Sequence, residues 1–356
     1  VSASRLAGEA GPVLVVTRPG QVGLVDRVPP APRPGETLVR PDLVGLCGTD
    51  LEIIAGQVDP AYTRYPVALG HEWTGTVTGE SPLAGSRVVV EGIVACGHCA
   101  RCARGETNLC ETYDEFGFTR DGAASGLVAV PTPLVHPIAA SVAAEDAVLT
   151  EPASVVYRGL VRAGVSPGGA ALSPGNRVLV VGDGTIALLA AYLVRLWSPA
   201  EVVMLGRREA QAELAATAGA ARLETTAAAA GGDYDLVIEA AGAVEAAADA
   251  IAAARRGGNV LLLGLPPHGQ TVALAVADAV NNDLTILGSF GYTAAAWRDV
   301  VRLLNAGLIR PGFLVTHRFA LADWADAIAC LRSASGPRGK VLLEIAENSA
   351  PGRQEP

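Results

Sequence analysis

Val178-Leu179-Val180-Val181-Gly182-Asp183-Gly184-Thr185-Ile186-Ala187 is an apolar strand, a glycine turn and a helix start in succession. Four apolar residues without alternation fit a strand buried on both faces, and Thr185–Trp197 has the length and apolarity of a packed helix. Gly182 permits the sharp turn and Gly184 lets the backbone approach a pyrophosphate. Ala187, in place of a third glycine, still allows close helix–strand packing. Thr185 and Ile186 open the helix whose N-terminus would meet the phosphate charge. A glycine pattern alone is weak; its place between strand and helix makes this one informative. Downstream the rhythm repeats, with expected strands at Val202–Leu205, Leu236–Ile238, Val260–Leu263 and Leu284–Leu287 and a helix from about Glu209 that Gly219 stops. The expected fold class is α/β, with a doubly wound parallel sheet (Rossmann domain) over residues 153–290. After Leu205 comes Gly206-Arg207-Arg208, where sheets that bind NAD commonly offer an acid to the ribose 2′-hydroxyl. Arg207 and Arg208 would instead clamp a 2′-phosphate, so NADP is expected to be preferred over NAD.

Upstream the character differs. Short β-type runs, Val13–Thr17, Glu36–Leu43, Trp73–Thr78, Arg87–Val90 and Leu127–Val130, are separated by Gly and Pro, and helical periodicity is scarce. Residues 1–152 therefore read as a β-rich domain with long functional loops. From Gly291 come two expected helices, Ala294–Asn305 and Leu321–Leu331, and a closing strand, Val341–Ile345; residues 291–356 are expected to return to the first domain. Ala227–Gly232 reads as a loop, and the polar tail beyond Asn348 as frayed.

At 356 residues the chain exceeds one ordinary core, and a hydrophobic half with 18% charged residues excludes a disordered chain. Lys+Arg 27 against Asp+Glu 36 gives −9, which argues against a nucleic-acid binder; no membrane partner is expected either. The longest apolar helical stretch, Ile186–Val194, is far short of the ~20 residues a bilayer needs. Val1–Gly11 lacks a basic stretch followed by an apolar run, so no secretory signal is expected.

Cys96, Cys99, Cys102 and Cys110 supply four thiolates at spacings that can wrap one tetrahedral zinc. An all-sulfur site leaves no place for water, so such a zinc is structural. His98 lies inside this knuckle but is superfluous as a ligand and is expected at the surface. Clustered thiols of this kind fit a reducing, cytoplasmic compartment better than a disulfide framework. Cys330 is expected in the core of the tail helix, and His136, His268 and His317 show no partners in the sequence.

A second metal site is expected from distant residues. Cys47-Gly48-Thr49-Asp50 follows an apolar strand, Gly70-His71-Glu72 another short run, and Glu151-Pro152 stands at the domain change. Cys47, His71 and Glu151 offer a thiolate, an imidazole and a carboxylate, the ligand types of a catalytic zinc with an open fourth position. In order and spacing, these three motifs, the four-cysteine knuckle and the glycine turn resemble the zinc-dependent medium-chain alcohol and polyol dehydrogenases over essentially the whole chain.

The resemblance implies a GroES-like catalytic domain, a Rossmann domain and a cleft between them, with two zincs per chain and a homodimer or homotetramer. It implies Cys47, His71 and Glu151 as catalytic-zinc ligands, Glu72 as a carboxylate able to approach the metal, and Asp50 as the group that orients His71. Thr49 would pass the substrate proton outward. Leu265 and Phe290 would lie beside the nicotinamide, and Lys340, the chain's sole lysine, near the pyrophosphate. Many alcohol dehydrogenases of the family carry His where this chain has Glu52; glutamate there is similar to the sugar dehydrogenases, where it could bind a sugar hydroxyl. The expected reaction is hydride transfer between a secondary alcohol of a sugar, polyol or cyclitol and NADP(H). Glu115–Ala123 resembles aminocyclitol dehydrogenases and Cys-Gly-Thr-Asp also opens threonine dehydrogenases, so an NAD-dependent amino-alcohol or aminocyclitol dehydrogenase is the alternative. The other classes weighed are a zinc-free reductase and a catalytically silent cofactor-binding protein.

Overall fold

The computed structural model describes residues 10–165, 174–333 and 335–345. The tail expected to fray beyond Asn348 lies outside these, as does nearly all of Val1–Gly11. In chain order the strands are β1 (Gly11–Arg18), β2 (Gln21–Arg27), β3 (Glu36–Leu46), β4 (Val67–Ala68), β5 (Glu72–Thr78), β6 (Arg87–Val90), β7 (Val128–Pro131) and β8 (Val135–Pro137). Then follow β9 (Arg177–Val181), β10 (Glu201–Leu205), β11 (Arg222–Glu224), β12 (Tyr234–Glu239), β13 (Ala254–Leu262), β14 (Thr285–Gly288), β15 (Val315–Ala320) and β16 (Lys340–Glu344).

Strands β9 to β14 form one six-stranded sheet in the order β11-β10-β9-β12-β13-β14, parallel throughout. The order reverses direction beside β9, and a doubly wound sheet opens its ligand crevice at such a switch point, beyond the carboxyl ends of the strands. The glycine turn stands there. Val178, Leu179 and Val180 are fully buried, as a strand covered on both faces requires.

The other large sheet runs β15-β16-β3-β5-β6-β8, with β7 also paired to β3. Its members are antiparallel except for β15 with β16. β16 lies against β3, Val341 opposite Leu46, so the last described strand borders the turn at Cys47 into helix Gly48–Ala55. A smaller sheet, β2-β1-β4, packs nearby. Helix Thr150–Arg162 joins the two large sheets, its Ala153, Val156 and Leu160 in a core shared with Val178, Val180 and Leu261. At Gly159 an added Cβ would come within 2.6 Å of Leu263 Cδ2, so the helix packs closely on the parallel sheet there, and a larger residue would require the Leu263 side chain to shift.

Several elements differ from the sequence reading, which named no strand at β2, β4, β8 or β11. Ala227–Ala230 is a short helix with Thr226 as N-cap, its hydroxyl accepting from the Ala229 N–H; four alanines supply the propensity and the cap the start. β15 was not expected: its residues are half-buried or exposed in alternation, an amphipathic pattern that lacks an apolar run.

Candidate metal centre and nucleotide crevice

Cys47 closes β3 and caps helix Gly48–Ala55. Its sulfur accepts the Thr49 N–H at 3.3 Å, and its own N–H donates to Asp50 Oδ2 at 2.8 Å. This reciprocal cap fixes both side chains in one turn. His71, buried just before β5, brings Nε2 to 3.1 Å from Cys47 Sγ, while Nδ1 faces Asp50 Oδ1 at 3.4 Å. Asp50 thus engages one side of the ring and leaves Nε2 toward the sulfur, the arrangement by which outer carboxylates orient metal-binding histidines. Burial opposes a charge on His71, but Cys47 and Asp50 outweigh it and raise the imidazole well above its ordinary pKa.

Glu72 completes the group. Cys47, His71 and Glu72 each place a donor atom within 4.8 Å of the others. Glu151, the carboxylate expected to complete the set, lies outside that group. It is buried at the start of helix Thr150–Arg162, and burial, then Glu72 and Glu115, pushes its carboxyl up to about 8. Burial pushes Glu115 up to about 7 even though the Tyr113 hydroxyl donates to it. A pocket that crowds the buried carboxyls of Glu72, Glu115 and Glu151 around one imidazole and one ammonium is short of positive charge. A dication held by soft and hard donors together would reverse these shifts, so sulfur, imidazole and carboxylate fit zinc.

The ammonium belongs to Lys340, and here the sequence reading is corrected. Expected near a pyrophosphate, Lys340 is instead 2% exposed and donates to Glu72 Oε2 and, at 3.4 Å, to the Leu46 carbonyl. The register of β16 on β3 carries it behind the metal group. Burial opposes its charge, yet Glu72, Cys47 and Glu151 hold its pKa above the usual lysine value.

Thr49 is half-buried, and among the described residues its hydroxyl has no partner. Glu52, one turn on, is half-buried with an equally unpartnered carboxylate that burial raises. Phe290 packs with Tyr62 and Tyr113, ring centroids 5.5 and 5.9 Å away, so that aromatic residues from both sides of the crevice meet. Leu265 is 61% exposed on the loop after β13.

The knuckle is compact. Cys96, Cys99, Cys102 and Cys110 hold their sulfurs within 4.8 Å of one another, and all are free thiols. The N–H groups of Cys99, Cys102 and Cys96 point at the sulfurs of Cys96, Cys99 and Cys110 at 3.4, 3.4 and 3.2 Å. Backbone donors of His98 and Cys99 lower the Cys96 thiol to about 6. Converging thiolates held by backbone N–H groups fit a closed four-sulfur zinc site. His98 is exposed and only caps the Cys96 carbonyl at 2.9 Å. His136, without a visible partner in the sequence, is 2.7 Å from Glu91. His317 meets Thr316 at 2.8 Å, His268 lies 3.7 Å from Asp59, and Cys330 packs partly buried against the catalytic-sheet core.

At the nucleotide end, Gly182 has φ +128°, and a Cβ there would meet Ala240 and Ala241 backbone at 3.0 Å. Gly184 starts helix Thr185–Val194 with no side-chain cap, leaving its first N–H groups open to an anion. Thr185 donates its hydroxyl to the Gly339 carbonyl at 3.2 Å, and Ile186 packs partly buried on the core. The two-guanidinium clamp is not formed. Arg207 is exposed with no side-chain partner among the described residues, whereas Arg208 is turned onto Asp183, Nη2 to Oδ1 at 2.8 Å. The turn approaches Gly206 closely, where a Cβ would meet Asp183 Cβ at 2.6 Å, and this brings Asp183 against the residues after β10.

The chain matches the alcohol dehydrogenase GroES-like domain over residues 33–140 and the glucose dehydrogenase C-terminus over residues 144–331. It is 33% identical to an L-threonine 3-dehydrogenase of Streptomyces avermitilis, over 90% of this chain and 95% of that protein. It is 30% identical to an L-galactonate-5-dehydrogenase of Escherichia coli K12, over 88% and 93%. Among solved structures, a zinc-binding dehydrogenase from Sinorhizobium meliloti 1021 bound to NADP is similar at 26% identity and TM-score 0.85, covering 94% of this chain and 99% of that one. An alcohol dehydrogenase of Escherichia coli CFT073 complexed with NADH is similar at 27% identity and TM-score 0.84, covering 95% and 100%. The α/β fold, the two donor groups and these likenesses agree: the chain belongs to the zinc-dependent medium-chain alcohol and polyol dehydrogenases, enzymes that act on CH–OH groups with a nicotinamide cofactor.

Proposed function

We propose that this dehydrogenase transfers hydride between a secondary alcohol of a sugar, polyol or cyclitol and NADP(H). The observation that carries the reading is the convergence of Cys47, His71 and Glu72, with a Thr49 hydroxyl and a Glu52 carboxylate, unpartnered among the described residues, on the helix that Cys47 caps. Cys47 and His71 would hold the catalytic zinc with a carboxylate from Glu72 or Glu151, and the knuckle a second, structural zinc. When bound, zinc supplies Lewis acidity toward the substrate oxygen and the nicotinamide supplies the hydride acceptor. The chain's own groups do the rest. Asp50 keeps Nε2 of His71 free, and Lys340 holds one oxygen of Glu72. Thr49 takes the proton leaving the substrate hydroxyl and hands it outward, and Glu52 accepts a hydrogen bond from a neighbouring hydroxyl of the substrate. Leu265 and Phe290 flank the nicotinamide. Gly182, Gly184, Thr185 and Ile186 shape the pyrophosphate turn, and Arg207 meets the 2′-phosphate.

Glu52 also supports the second reading, an amino alcohol or aminocyclitol oxidised with NAD, because a carboxylate would bind an ammonium there. Sugars, cyclitols and amino alcohols assayed in parallel with NADP and NAD decide between them. Glu52→Gln should raise KM about tenfold with a smaller change in kcat, as loss of a charge-assisted hydrogen bond does. A loss confined to amine substrates would favour the second reading, and no loss on any substrate would remove Glu52 from the site. Val272, Leu274, Val276 and Val280, exposed in the segment that leads into the edge strand β14, support assembly as a homodimer or homotetramer. No helix among the described residues is long and apolar enough to cross a membrane, and the free thiols suit a reducing cytoplasm.

A further inference from the structure

The corner formed by the glycine turn and the end of β10 holds an acid that the sequence pattern places elsewhere. Asp183 reaches from the turn to the residues after Leu205. Its Oδ2 accepts the N–H groups of Arg207 and Arg208, both at 2.9 Å. Its Oδ1 accepts Nε and Nη2 of Arg208 at 3.2 and 2.8 Å. Four donors saturate the carboxylate, so it has no acceptor site left for a ribose hydroxyl. Burial opposes its charge, but the Arg208 hydrogen bonds outweigh that and hold the acid below its usual range.

Arg208 is equally occupied. Besides the carboxylate it donates to the Asp183 carbonyl at 3.0 Å, its side chain is only 13% exposed, and Nη1 is buried without a partner. Behind the pair, Gln211 is fully buried and ties the same Asp183 carbonyl, at 2.6 Å, to Arg338. Arg338 is spent on the carbonyls of Cys330, Leu331 and Ser333. Among the described residues, of the guanidiniums of Arg207, Arg208 and Arg338, that of Arg207 is exposed and unengaged.

We propose that Arg208 serves 2′-phosphate selectivity through Asp183 and not by touching the phosphate: it cancels the carboxylate's charge and fills its acceptor sites, leaving Arg207 to meet the ligand. The inference rests on reading this corner as the adenosine-ribose site. Without Arg208, Asp183 is a bare anion that repels a 2′-phosphate and accepts a 2′-hydroxyl, so selectivity turns toward NAD. Without the charge of Asp183, Arg208 has nothing left to neutralise.

A double-mutant cycle separates this from a direct clamp. Calorimetric titration with adenosine 2′,5′-bisphosphate and with AMP gives an affinity ratio that a general loss of fold does not move, and thermal melting checks each variant. Arg207→Ala should lower the ratio about 10- to 100-fold, the worth of a hydrogen bond to a charged group. Arg208→Ala should lower it by about tenfold, and Asp183→Asn, which keeps an acceptor for the two N–H groups, should raise it by a few-fold. Asp183→Asn with Arg208→Ala should return the ratio to within about threefold of the parent protein. A double variant as poor as Arg208→Ala, or an Asp183→Asn protein with a lowered ratio, overturns the proposal. Should Arg208→Ala fail to fold, Arg208→Gln in the same cycle gives the same two outcomes. A parent protein that binds AMP as tightly as the bisphosphate refutes the NADP preference, while the cycle still tests the coupling of Arg208 to Asp183.

Discussion

The two thiol-containing centres of this chain are opposites in construction. The knuckle draws all four sulfurs from Cys96–Cys110, and backbone N–H groups of that same segment surround them. The other centre gathers Cys47 from the end of β3, His71 and Glu72 from the start of β5, and Lys340 from β16. One is closed by its own ligands and needs only local chain. The other depends on strand register and joins donors of three chemical kinds. In this chain the four-sulfur group is written in short spacing, and the mixed-donor group is assembled from afar.

The contrast can be broken where it is strongest. Cys47→Ala should lower kcat/KM on the order of 10³-fold or more, since several kcal/mol of charge stabilisation go with the metal. Metal analysis should still find one zinc, on the knuckle; a protein that loses both, or keeps turning over, contradicts the separation. Lys340→Met leaves Glu72 buried without a counter-charge and should cost about 3–5 kcal/mol in a denaturant titration. Little change would mean that the pair contributes nothing to the assembled centre. Asp50→Asn, which keeps the shape but weakens the hold on His71, should cost about 10–100-fold in zinc affinity or activity. Competition with a chromophoric chelator measures it. Cys102→Ser should have the smallest catalytic effect: turnover per folded molecule stays nearly unchanged, while one zinc is lost and the segment 94–113 becomes open to proteolysis. If instead hydride transfer collapses, the two centres are not independent.

How much could be read without coordinates follows the same division. The knuckle was legible in full because its geometry is local. Five of the six strands of the parallel sheet were legible because apolar runs and glycine turns punctuate them; β11, Arg222-Leu223-Glu224, has no apolar run and was not. Cys47 and His71 were legible as one donor group, but the sequence reading took Glu151 as the third donor and Glu72 as a nearby carboxylate; only the placement of helix Thr150–Arg162 decides which one stands within 4.8 Å of Cys47 and His71. Arg208 looked like a ligand because its partner, Asp183, lies on a neighbouring strand's turn. Lys340 looked like a phosphate contact because pairing with Glu72 requires β16 to lie on β3, a register no local pattern encodes. The amphipathic β15 carried no signal strong enough to find it.

The place of β16 also has a consequence for synthesis on the ribosome. Cys47, His71 and Glu72 emerge early, yet the ammonium that neutralises Glu72 arrives only when residue 340 has cleared the exit tunnel. Any product terminated before that point leaves the buried Glu72 without its ammonium partner and β3 without the strand that borders it.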